Sequence, residues 1–182
     1  MTGRVALSAT ALAVLALSGC ERAPKDSATQ KVGPACEGIP ELDFDSGIAD
    51  PENLLRGGYE ERVRGAQLRF YRARHDRWLP VVILPDLNDH NMNAVARCIA
   101  HHWESEGIMT TNDILIVVTS NDRHAHILPG ARVRDEISDA EAAKIIEKMA
   151  SIFAADGPTA GNISEGLSAG IDAINEHLKD RP

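Results

Sequence analysis

The sequence predicts one α/β domain, a small mixed β-sheet flanked by helices in an α/β/α layered sandwich. Three observations lead there. Two short apolar runs are rich in Val and Ile: Trp78 to Leu84 reads as a buried strand, and Ile114 to Thr119 as one buried on both faces of a sheet. Around them, apolar residues recur at the spacing of amphipathic helices. Finally, Ser120-Asn121-Asp122-Arg123 is turn chemistry leading straight into His124-Ala125-His126-Ile127, which makes a hairpin. A strand-helix-strand unit followed by a hairpin gives a mixed sheet, and the helices must cover its faces.

Taken in order, Asp50-Pro51-Glu52-Asn53-Leu54-Leu55 reads as the start of a helix that runs to about Arg74, with Tyr59, Val63, Ala66 and Phe70 at helical spacing. The first strand follows and is stopped by Pro85-Asp86-Leu87-Asn88-Asp89. A second helix, from about Asn91 to Ser105, presents Val95, Cys98, Ile99 and His102 on one face. After the hairpin, Ser138 and Glu141 form a capping box in which hydroxyl and carboxylate take up backbone NH groups at a helix start. That helix carries Ala142, Ile145, Ile146, Met149, Ile152 and Phe153 as a stripe and stops near Asp156-Gly157-Pro158. In the last helix Ile163, Leu167, Ile171, Ile174 and Leu178 share a side, while Gly166 and Gly170 leave room for a close neighbour. No Gly-rich phosphate fingerprint follows either strand, so the layered fold alone does not imply nucleotide binding.

The N-terminus has a different character. Arg4 precedes an apolar run from Val5 to Leu17 that ends in Leu17-Ser18-Gly19-Cys20. The run is shorter than the roughly 20 residues a membrane span needs, and small residues follow it, so it reads as an export signal. Leu-Ser-Gly-Cys resembles the lipobox of bacterial lipoproteins, which implies cleavage after residue 19 and a diacylglycerol on Cys20. An ordinary secretory signal with a chance cysteine is the alternative. Glu21 to Lys31 is polar and free of aromatics, and the chain divides into a signal at 1–19, a disordered tether at 20–44 and a domain at 45–179. The formal net charge is −8, and loss of Arg4 with the signal makes the mature chain more acidic still. That balance argues against nucleic acid and against electrostatic adhesion to anionic lipid. The lipid on Cys20 would supply the membrane contact, facing the periplasm on either the inner or the outer membrane. In an exported protein Cys36 and Cys98 are candidates for a disulfide, a buried thiol at Cys98 being the alternative.

Taken together, the segments resemble the TPM domain, named for thylakoid, bacterial and animal membrane-associated proteins, over residues 46 to 178. Gly47-Ile48-Ala49-Asp50-Pro51-Glu52-Asn53-Leu54-Leu55 stands where the family has Val-Val-Asp-x-Ala-x-Leu-Leu, with one extra residue. Val81-Val82-Ile83-Leu84 matches its Val-rich strand, Trp103 its helical aromatic, and Asn121-Asp122-Arg123 its Asp-Arg turn. Ile137-Ser138-Asp139-Ala140 fits its Leu-Thr-Asp-Ala, and Gly166-Leu167-Ser168-Ala169-Gly170-Ile171-Asp172-Ala173 its final helix. Two loops depart from the pattern: Leu128-Pro129-Gly130-Ala131-Arg132 replaces a Gly-Tyr-Gly-Leu-Glu-Gly loop, and Thr110-Thr111-Asn112-Asp113 replaces Lys-Asp-Asn-Gly.

The resemblance implies that Asp50, Asp122 and Asp139, with Asn112 and Asp113 as further oxygen donors, are candidate ligands for Ca²⁺ or another divalent cation, since some family members bind calcium and a plant member is reported as an acid phosphatase. Hard cations want several oxygens, and loop carboxylates supply them. The structural alternative is that Asp50 and Asp139 cap helices and Asp122 fills a turn. Asp86-Leu87-Asn88-Asp89-His90-Asn91 superficially resembles an EF-hand loop but lacks its Gly and distal Glu, so it reads as a polar turn ending in a helix cap. His124 and His126 would share a strand face without a third zinc ligand, and His101 and His102 do not converge. No Gly-x-Ser-x-Gly elbow is present. Two functions follow from these expectations. One is an anchored accessory or binding module for an envelope protein complex; the other is a metal-assisted phosphatase acting on phosphoesters.

Overall fold

The computed structural model describes residues 38–154 and 159–179. The signal, Cys20, Cys36 and most of the tether lie outside them. The elements are β1 (Ile48–Ala49), α1 (Gly58–Arg74), β2 (Val81–Leu84), α2 (Met92–Ser105), β3 (Ile114–Thr119), β4 (Ala125–Pro129), α3 (Asp139–Phe153) and α4 (Ala160–His177). The strands form one sheet in the order β1-β2-β3-β4, with the first three parallel and β4 antiparallel to β3. The mixed, layered α/β architecture is the one the sequence predicts.

Alternation along β3 builds the two interiors. Ile114, Ile116 and Val118 join Val63, Phe70, Ile145, Met149, Leu167 and Ile171 on the side of α1, α3 and α4. Leu115 and Val117 join Val95, Ile99 and Trp103 of α2 on the other. Every residue of β3 is buried, as a central strand covered on both faces requires. The β1-to-β2 and β2-to-β3 connections step across the sheet in the same direction, yet α1 and α2 cover opposite faces. The two crossovers therefore differ in hand, against the general right-handed preference.

Several boundaries differ from expectation for identifiable reasons. The first helix begins at Gly58, not near Asp50, because Asn53 and Gly57 have φ of 50° and 57°, outside the right-handed helical region. The intervening turn is closed by Asp50, whose two carboxylate oxygens accept the Leu54 and Leu55 amides at 3.0 and 2.7 Å. Trp78 to Pro80 runs beside β3 before β2 starts, with the Trp78 and Pro80 carbonyls accepting Ile114 N and Ile116 N. β1 is a two-residue strand that carries too little pattern to read from sequence. Leu42, within the span assigned to the tether, is 7% exposed and packs with α2. His124 falls just before β4.

The helix caps follow the sequence closely. Asn91 accepts Ala94 N at the start of α2, and the Ser138–Glu141 capping box opens α3. The small residues of α4 let α3 approach: a methyl at Gly170 would stand 2.5 Å from Met149 Sδ, and one at Gly166 would enter the Phe153 ring.

Candidate functional site

Parallel strands put their carboxyl ends on one edge, the usual ligand position in open α/β sheets. Here Asp50 follows β1, Asp86 lies just beyond β2 and Asp122 just beyond β3. Beside Asp50 is a cavity of about 310 Å³ lined by Glu41, Asp43, Ser46, Asp50 and Glu60 over an apolar floor of Ile48 and Leu55. Asp43 is held below the usual carboxylate range, chiefly by the Asp45 amide and also by the Ser46 hydroxyl. Asp86 accepts the Asn88 amide within the polar turn expected there, and Asp122 is exposed in the hairpin.

Asn112 and Asp113 lie at the opposite edge, because they precede β3 rather than follow it. The six residues of β3 span roughly 20 Å, so neither shares a cation with Asp122. Asp113 is 4% exposed and organises the chain around it: it accepts Trp78 N at 2.7 Å, Thr110 N at 2.6 Å and the Thr110 hydroxyl at 3.0 Å. The two loops that depart from the family pattern meet here. Gly130 N donates to Asp113 O and Arg132 N to Thr111 O, and a Cβ at Gly130 would collide with the Thr111 carbonyl. Asp139 sits at a third place, the first turn of α3, lining the same groove as His126. Among the described residues no group of three or more His, Cys, Asp or Glu side chains is arranged to hold a metal ion. Asn112 and Asp113 are separated from Asp122 by the length of β3, while Asp139 faces the groove that holds His126. Cys98 is disulfide-bonded, and Cys36, its expected partner, lies outside the described residues.

A second concave region runs along the outer edge of β4. A groove of about 480 Å³ lies between α2 and α3, with Arg97 and Arg134 toward α2, Ala142, Ala143 and Ile146 from α3, and His126 at its base. His126 Nε2 is buried without a hydrogen-bond partner, and burial together with the Arg97 charge holds the imidazole below its ordinary pKa. Single-sequence reading misses this groove because Arg97, His126 and Arg134 come from three different segments, and Arg97 is one of several polar residues on the exposed side of α2.

The family model for the TPM domain matches residues 48–177. The chain belongs to the TPM domain family. Two solution NMR structures share its fold. The N-terminal domain of a protein from P. gingivalis is 26% identical, with a TM-score of 0.61 over 74% of this chain and 84% of that one. The N-terminal domain of a protein from Corynebacterium glutamicum is 11% identical, with a TM-score of 0.55 over 74% and 80%, which bears on the fold alone. No curated protein matches the chain. The TPM domain thus occupies nearly all of the described residues, and among those no helix is long and apolar enough to cross a membrane.

Proposed function

We propose that this TPM-domain chain is an extracytoplasmic lipoprotein, held at a membrane through the lipid on Cys20, and that it serves as an accessory or binding module for an envelope protein complex. The observation that carries the reading is the employment of its acids. Asp50 spends both oxygens on the Leu54 and Leu55 amides, and Asp113 spends both on Trp78 and Thr110. Carboxylates engaged this way shape loops; they are not poised to gather a cation. The anchor would raise effective concentration near a membrane-bound partner. In cells, Cys20→Ser should abolish membrane fractionation and function while the purified variant keeps the wild-type melting curve. Retention of Cys20→Ser in the membrane fraction would sink the lipoprotein reading.

A second reading, a metal-assisted phosphatase, is favoured by the placement of Asp50, Asp86 and Asp122 after three parallel strands, and the matching family model carries phosphatase in its name. Turnover of a generic phosphoester, with and without Ca²⁺, Mg²⁺ and Mn²⁺, separates the two. Metal-dependent turnover that disappears in Asp50→Ala or Asp122→Ala would replace the accessory reading, whereas absence of turnover and metal-independent melting support it.

A further inference from the structure

β4 is an edge strand, and its hydrogen-bonding register shows which groups it leaves unpaired. Thr119 N donates to His124 O at one end of the hairpin, and Gly130 N donates to Asp113 O at the other. In an antiparallel ladder, residues bonded to the neighbour alternate with residues whose NH and CO point away. With the register Val118↔Ala125, Val117↔His126, Ile116↔Ile127, Leu115↔Leu128 and Ile114↔Pro129, it is His126 and Leu128 that face β3. Ala125 and Ile127 therefore direct NH and CO outward, and Pro129 directs only CO. None of these outward groups bonds another element among the described residues. The edge opens into the groove between α2 and α3 rather than onto a flat surface.

The groove has two unlike walls. A strand laid along β4 would project alternate side chains to opposite faces of the sheet. On one face they would meet Ala142, Ala143 and Ile146; on the other, Arg97 and Arg134. Both arginines are exposed and neither is ion-paired among the described residues, Arg97 holding only the Asn93 side chain. Asp139 and, one pocket further along, Glu104 are the acids beside them. In a chain of net charge −8, two unpaired guanidinium groups against the single carboxylate of Asp139 leave this groove locally positive.

We propose that the outer edge of β4 docks an extended, acidic segment of a partner protein, added as a fifth strand whose carboxylates alternate with small apolar residues and face Arg97 and Arg134. Main-chain pairing to Ala125 and Ile127 supplies the grip, and the alternation supplies selectivity. This deepens the accessory reading and rests on it for the kind of partner, but docking is a property of the folded domain and needs no membrane.

The test is fluorescence anisotropy of the full chain with a labelled peptide of alternating Glu and Val. Saturable binding is expected. Combined Arg97→Glu and Arg134→Glu should weaken it at least about 30-fold, roughly five- to sixfold per charge contact. The same peptide N-methylated at alternate amides, which keeps every charge but cannot pair as a strand, should bind at least about tenfold more weakly. Ala125→Pro, which removes one outward NH while leaving the β3 ladder intact, should do the same; the methylated peptide gives the answer even if that variant folds poorly. Equal affinity for the methylated peptide would overturn strand addition. Self-association abolished by Ala125→Pro, without peptide binding, would overturn it in favour of a second copy of this chain, and capture by anionic vesicles alone would overturn it in favour of lipid. Peptide binding that survives while Cys20→Ser remains functional in cells would leave the docking site standing and remove only the anchored role.

Discussion

The carboxyl edge of the parallel strands and the outer edge of β4 are both concave, and they are built in opposite ways. At the first, Glu41, Asp43, Asp50 and Glu60 face one cavity, but Asp50 and Asp43 are engaged with nearby amides and hydroxyls. At the second, Arg97 and Arg134 reach outward and unused backbone groups lie between apolar walls. Net charge therefore describes this protein poorly as a binding surface. Asp43, Asp50 and Asp113 hold loops in shape, while Arg97 and Arg134 beside β4 form no ion pair among the described residues.

The contrast is broken most severely by removing an acid that holds structure. Asp113→Ala should cost roughly 3 kcal/mol in a denaturant titration, because it leaves the Trp78 and Thr110 donors unpaired in a buried site. It should also loosen the Thr111 and Gly130 contact at the end of β4. Asp50→Ala should cost about 1 kcal/mol, the usual value of a capping side chain, at the more solvated carboxyl edge. If Asp50→Ala were instead stabilising, the acids at that edge would be held together under repulsion for another purpose. Combined Arg97→Glu and Arg134→Glu should change stability by no more than about 0.5 kcal/mol, since exposed arginines without ion pairs build little. A large loss would show that the basic edge is structural after all.

The smallest effect is a slope. His126 has its pKa lowered by burial and by Arg97, with Asp139 opposing. The folded chain then binds fewer protons at this site than the unfolded chain. Its stabilising contribution is complete above the ordinary histidine value of about 6.5 and is lost as pH falls through the lower folded value. Thermal melts of His126→Gln between pH 7.5 and 5 should show a shallower decline than the parent chain.

Patterns within single segments were legible. The apolar run of β3, the Asn91 cap, the Ser138–Glu141 capping box, and the Gly166 and Gly170 approach to α3 each depend on residues close in sequence or on one helix face. The family followed from the order of such segments. Pattern failed where the deciding contact was long-range or too short to have a period. β1 exists because Gly47 and Ile48 meet Val81 across the sheet, and Leu42 is buried by a helix that begins fifty residues later. The candidate ligands Asp50, Asp122, Asp139, Asn112 and Asp113 matched a family order, but strand direction sends Asp113 to one end of the sheet and Asp122 to the other. The basic groove was illegible for the same reason: only the fold places Arg97 beside Arg134.

Mapping backbone amide shifts of the ¹⁵N-labelled full chain during titration with the alternating Glu-Val peptide tests the contrast between the edges most directly. Progressive shifts are expected, confined to Ala125–Ile127, the α2 turn carrying Arg97, the Arg134 loop and the Ala142–Ile146 face of α3, with Glu41–Asp50 unmoved. Shifts centred on Glu41, Asp43 and Asp50, with β4 silent, would contradict it.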